Sequence, residues 1–206
     1  MKFDHLVVAA ETLEAGSDHV ESVLGVRPDG GGKHAQMGTH NRLLSLGPSA
    51  YLEVIAIDPE ARAPGHARWF GLDRFSGPPR LTNWVARCDD LDAALAAAPP
   101  MAGRVRELSR GALRWRMPVL DDGQLPFDGL FPGLIQWQGG GHPAAQLPDR
   151  GVCIARLVLH HPRAEALRAA LEAMPGPACE DLEVRHGGRV RLSARIATPA
   201  GVVTLG

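Results

Sequence analysis

Lysine is nearly absent. Lys2 and Lys33 are the only two in 206 residues, so the positive charge rests almost wholly on arginine. An excess of either charge is missing as well, since 22 basic residues stand against 23 acidic ones for a net charge of -1. A chain without a basic field is poorly suited to a phosphate backbone, and no nucleic-acid partner is expected. Cysteine is scarce. Cys88, Cys153 and Cys179 are odd in number and lack metal-type spacing, which argues against a disulfide framework and points to a reducing cytoplasm. There is no long unbroken apolar run and no charged leader before one, so neither a membrane span nor a signal peptide is expected. Arginine together with abundant alanine, glycine and proline suggests GC-rich coding and a bacterial source.

What the sequence does contain is repetition. FDHLVVA (Phe3 to Ala9) is an apolar, β-branched run, and the stretch after it has helical spacing that ends at Gly25. After a Gly-rich break, with a weak strand around Val26 or Lys33, NRLLSLG and YLEVIAID read as two strands joined by a Gly-Pro-Ser turn. The same order returns at LTNWVARC, with DDLDAALAAA as an Asp-capped helix and VRELS, ALRWRMPVL and GLIQWQ as later strands. Setting His5 to Ala15 above Asn83 to Ala93 needs no gap, a period of 78 residues. A third, looser copy begins at CIARLVLHHPRAEALRAALEAM. The sequence thus predicts an α+β chain: a first βαβββ module over 1–60, a connection over 61–80, a second module over 81–140, and a partial βαβββ-like C-terminal unit over 151–206. Pro59 to Pro79 and Gln138 to Gly151 read as linkers.

A curved four-stranded sheet cannot bury both of its faces alone, whereas two such sheets side by side enclose a cleft. In YLEVIAID, Tyr51, Glu53, Ile55 and Ile57 share one face of a strand and Leu52, Val54 and Ala56 the other. Both faces are apolar, so the strand is expected to be central, and a carboxylate inside it is costly unless something compensates it. Glu53 therefore reads either as a pocket-facing acid or as half of a buried pair with Arg42 or Arg116.

FDHLVV, H-x-x-M-G-T-x-N (His34 to Asn41), YLEVIAID and LPF…IQW (Leu125 to Trp137) together resemble the glyoxalase-like branch of the vicinal oxygen chelate superfamily, across residues 3 to about 138. That resemblance implies paired modules forming one curved sheet around a divalent metal (Mn, Fe, Ni, Zn or Mg), with ligands from the first and last strands of each module. By position these are His5 and Glu53 in the first module and Asn83 and Gln136 in the second. The amides are weak oxygen donors, and an open metal site usually needs about three protein ligands. His34 and His40 are the nearest further candidates.

The resemblance implies one of two functions. In the first, a metal-dependent lyase, isomerase or dioxygenase acts on a small oxygenated molecule, with His5 and Glu53 on the metal and Glu53 or His40 moving the proton. In the second, the protein holds an antibiotic-type small molecule without metal or turnover. Substrate contacts are then expected from His34, Thr39, Asn41, Asn83, Trp115, Gln136 and Trp137. Trp84, Trp115 and Trp137 read either as an aromatic wall or as core. Adjacent His160 and His161 point to opposite faces of a strand and do not chelate as a pair. The third unit has Val158 where a ligand would fall, and is expected to cover the paired modules or to pair two chains in a homodimer.

Overall fold

Strand β1 (Lys2–Ala9) leads into Thr12, whose hydroxyl accepts from the Ala15 N–H and opens helix α1 (Leu13–Leu24). Strand β5 (Arg80–Arg87) leads in the same way into Asp90, whose carboxylate accepts from Ala93 N–H and opens α2 (Leu91–Ala97). Both caps satisfy a donor that the first helical turn leaves orphaned. Thr12 and Asp90 lie 78 positions apart, the spacing that separates His5 from Asn83. The repeat is therefore realised down to the hydrogen bond that starts each helix.

The computed structural model describes residues 1–176 and 181–206; Cys179 lies outside the described residues. The first module continues with β2 (Asp29–His34), β3 (Thr39–Ser45) and β4 (Tyr51–Ile57), and the second with β6 (Gly103–Arg110), β7 (Leu113–Leu120) and β8 (Gly133–Gln138). All eight strands form one curled sheet in the order β2-β3-β4-β1-β5-β8-β7-β6. In each module the first strand runs parallel to the last, β1 with β4 and β5 with β8. The modules meet where β1 and β5 pair antiparallel.

Both faces of the central strands are buried. Leu6, Val8, Leu52, Val54, Trp84 and Leu134 pack on the convex side with Val20 and Leu24 of α1. Val7, Ile55, Val85, Trp115, Met117 and Ile135 fill the concave side. This is why YLEVIAID reads apolar throughout.

The C-terminal unit keeps the βαβββ element order, with β9 (Cys153–His161), α3 (Ala164–Glu172), β10 (Leu182–His186), β11 (Arg191–Thr198) and β12 (Gly201–Leu205). Its pairing differs. The order is β10-β9-β11-β12, so its first strand lies between its second and third instead of beside its last. Leu157, Leu159, Leu167, Leu192 and Ile196 join the convex core cluster that includes Leu6 and Trp84, so this unit covers the paired modules. Trp84 is core, with its indole N–H on the Leu130 carbonyl at 2.9 Å.

The two segments expected to be plain linkers both return to the concave side. Within Pro59 to Pro79 a 3-10 turn, Trp69–Arg74, lays Trp69 and Phe70 over the hollow. This turn is fixed by Gly71 N–H donating to the Gly123 carbonyl at 2.8 Å. A Cβ at Gly123, which has a φ of +73°, would lie 2.2 Å from the Arg68 carbonyl, so only glycine allows the approach. The segment after β8 forms the short turn Pro143–Gln146 and brings His142 back to β1.

Candidate functional site

The site begins with a bulge. Across β1 and β5, Phe3 pairs with Ala86 and His5 with Val85, which leaves Asp4 as an extra residue on β1. A bulge re-aims side chains that simple alternation would send to opposite faces. Asp4 and His5 consequently meet: His5 Nδ1–H donates to Asp4 Oδ1 at 2.7 Å, and both residues are buried. The other oxygen, Oδ2, accepts from Trp137 Nε1–H at 2.9 Å and from His142 Nε2 at 3.0 Å. Burial works to raise the Asp4 pKa, but the hydrogen bonds from His142 and His5 outweigh it and hold the carboxyl well below the usual range.

With its Nδ1 proton committed to Asp4, His5 presents Nε2 to the hollow, 3.7 Å from Glu53 Oε2. The Tyr51 ring stacks on the imidazole with centroids 4.4 Å apart. Burial, and then the charges of Asp4 and Glu53, push the Tyr51 phenol well above its ordinary pKa, so it stays neutral. Glu53 pairs with neither Arg42, which reaches Glu14 and Ser17, nor Arg116, which reaches Asp92. Its Oε1 instead accepts from Asn41 Nδ2, 2.5 Å away.

Asn41 is the hub of the opposite wall. Its Oδ1 accepts from Gly32 N–H at 2.9 Å and from Arg110 Nη1 at 2.7 Å, while its Nδ2 also lies 3.3 Å from His34 Nε2. His34 Nδ1 is 3.1 Å from Thr39 Oγ1. Two donors face His34 Nε2, so the ring proton belongs on Nδ1. Burial, then the Arg110 charge, lower the His34 pKa to about 3, and the ring is neutral. Arg110, from the last position of β6, crosses to the first module and, with Gln36 donating to the Glu107 carbonyl at 3.2 Å, draws the two edges of the sheet together.

These groups surround about 360 Å³ of atom-free space, part of it open to solvent, and Trp69, Phe70, Trp115, Met117, Ile135 and Trp137 form its apolar wall. Trp69 is 6% exposed, and its Nε1 is a buried donor with no acceptor among the described residues.

Of the residues singled out in the sequence, His5, Glu53, His34, Trp115 and Trp137 line this hollow, and Thr39 and Asn41 support it from behind. Three do not join it. His40 alternates with Thr39 and Asn41 and faces away, beside Lys33, Asp58 and Arg42. Asn83 shares the concave face but turns its amide to the Gly129 carbonyl at 3.2 Å and lines a separate cleft beyond Phe70. Gln136 points outward to Arg116 and the Asp89 carbonyl. Register explains where Gln136 lies: Val7 pairs with Glu53 and its repeat partner Val85 with Gly133, so Gly133 and not Gln136 is the counterpart of Glu53. Strand alternation put Tyr51 on the face of Glu53, but reading the sequence missed Asp4, Trp69, Arg110 and His142. Only Asp4 left a clear signal, an acid beside a histidine inside an apolar strand.

The donor set does not fit a resident divalent ion. His5 Nε2 and Glu53 Oε2 are two donors, the second module adds none, His34 Nε2 is faced by N–H groups, and the Arg110 cation borders the same space. Among the described residues no three His, Cys, Asp or Glu side chains converge as a metal site.

Fold and site together define a paired-module protein with a small concave pocket. The chain belongs to the glyoxalase-like domain family, whose model matches residues 3–174. A hypothetical protein from Staphylococcus aureus shares the fold, at 12% identity over 92% of this chain and 87% of its own, with a TM-score of 0.63. A methylmalonyl-CoA epimerase variant from Streptomyces coelicolor, in complex with 2-nitronate-propionyl-CoA, aligns at 16% identity over 66% of this chain and 97% of its own, with a TM-score of 0.45. The epimerase from Mycobacterium tuberculosis aligns at 20% identity over 65% and 86%, with a TM-score of 0.41. A search of the curated proteins gives no match. Among the described residues no helix is long and apolar enough to cross a membrane.

Proposed function

We propose that this protein is a lyase or isomerase that moves a proton on a small oxygenated molecule held in the hollow, with His5 and Glu53 as the acid and base and no resident metal. The observation that carries this reading is the Asp4–His5–Glu53 line. Asp4 fixes the His5 tautomer, and Nε2 and Oε2 stand 3.7 Å apart, too far for a hydrogen bond between them and open to a ligand atom. Asp4 is a positioning residue here: it orients the ring and stabilises the imidazolium that forms when Nε2 takes a proton.

The test is exchange of solvent deuterium into the carbon beside the carbonyl in a panel of small ketones, hydroxy ketones and carbonyl acids, followed by NMR. Exchange by the wild-type protein is expected to survive chelator treatment and to fall by about 10² to 10⁴ in His5→Gln and in Glu53→Gln. Exchange abolished by chelator and restored by one divalent ion would overturn the metal-free reading.

A second reading, holding a ligand without turnover, is favoured by the second module. Gly133 stands at the place of Glu53 there, and Trp115, Met117 and Trp137 supply contact but no acid or base. Ligand-induced melting shifts without exchange of any panel member would select it.

A further inference from the structure

Two side chains that line the hollow carry N–H groups with no acceptor among the described residues. Trp69 Nε1–H is buried on a ring that forms part of the wall and has no acceptor among the described residues. Leaving such a donor unsatisfied is costly; Arg106 Nε and His160 Nδ1 are also buried without a partner among the described residues, but neither residue lines the hollow. Arg110 uses only Nη1, on Asn41 Oδ1 at 2.7 Å and near His34 Nε2 at 3.5 Å. Among the described residues its Nε and Nη2 have no hydrogen-bond partner, and no carboxylate lies within salt-bridge distance of it. The arginine stem passes over Gly32, where a Cβ would come 3.1 Å from its Cδ, so the absence of a side chain there lets the guanidinium reach the mouth of the hollow. The acids of the site are engaged away from Arg110: Asp4 by His5, Trp137 and His142, and Glu53 Oε1 by Asn41.

An edge of guanidinium with two parallel N–H groups, Nε and Nη2, matches the two oxygens of a carboxylate. We infer that the hollow takes a small monocarboxylate, its carboxylate set against Arg110 and Trp69 Nε1–H and its carbon skeleton against the rest of the aromatic wall beside His5. The like charge of Glu53 keeps the carboxylate at the Arg110 end, which leaves the carbon atoms, and not the anion, facing His5 Nε2. The inference rests on the hollow being the ligand site, but not on turnover there.

The test measures binding of isobutyrate, of its neutral isostere isobutyramide and of inorganic phosphate, with the indole N–H signals followed by ¹H–¹⁵N NMR and Trp69 assigned through Trp69→Phe. Isobutyrate is expected to bind, to shift the Trp69 indole signal downfield, and to do so at least tenfold more tightly than isobutyramide. Arg110→Gln should lose about tenfold to a hundredfold in isobutyrate affinity and nothing for isobutyramide. Arg110→Lys, which keeps the charge and loses the fork, should fall in between. Affinity is read here without turnover, so failure of the acid–base reading and failure of this one are seen separately. Equal affinity for acid and amide, no binding of either, tighter binding of phosphate than of isobutyrate, or an unchanged Trp69 signal would each overturn the assignment.

Discussion

Asp4 and His5 are chain neighbours in a strand, and alternation alone would send them to opposite faces. The bulge at Asp4 brings them to one face, where the acid holds the ring. Asp4→Asn keeps the shape but places an amide N–H₂ where three donors now converge, which leaves buried donors unpaired. The variant is expected to lose about 1–3 kcal/mol of stability in urea titration and at least 10²-fold in any deuterium exchange the wild type supports. His34 gives a pH signature. Its pKa falls from 6.5 to about 3 on folding, so between those values the unfolded chain binds a proton that the folded one refuses. Stability therefore rises with pH across this window, is complete above pH 6.5 and is lost as the pH falls toward 3, with a slope approaching about 1.4 kcal/mol per pH unit. Melting temperatures measured over that range should fall less steeply with acid in His34→Gln than in the wild type.

At the scale of elements, the repeat predicts matched behaviour at matched positions. Thr12→Ala and Asp90→Ala each remove the side chain that starts a helix, at positions 78 apart. Each is expected to cost about 1 kcal/mol in urea denaturation, without changing ligand affinity in the hollow. The repeat, the module strands and the central placement of YLEVIAID were legible because they follow from periodicity and composition. Which face each strand presents was harder to read. The resemblance implies Gln136, on the last strand of the second module, as a ligand, yet pairing register puts Gly133 opposite Val85 and turns Gln136 outward. The bulge shifts β1 in the same way, and no local propensity marks it. Arg110 and Trp69 reach the hollow from a hairpin end and from a supposed linker, a consequence of sheet curling that no pattern along the chain records.

At the scale of the whole molecule, the third unit is part of the same core as the modules even though its strands form a separate sheet. Its element order was visible in the sequence. Its pairing was not, because helical and strand periods do not say which strands become neighbours. Leu159 is fully buried in the shared cluster. Leu159→Ala should therefore cost about 2–5 kcal/mol and lower the stability of the whole chain, seen as a single unfolding transition by both tryptophan fluorescence and far-ultraviolet dichroism. Two separated transitions would show that the C-terminal unit folds on its own. The hollow depends on this integrity, since the strands that line it on one side are packed against the third unit on the other.

The Asp4–His5 pair is tested most directly by ¹⁵N NMR of the histidine rings at neutral pH. The expected spectrum shows the neutral His5 ring as its Nδ1–H tautomer, changed in Asp4→Asn. A His5 ring protonated at Nε2 alone, or one indifferent to Asp4→Asn, would contradict the arrangement from which the proposed chemistry follows.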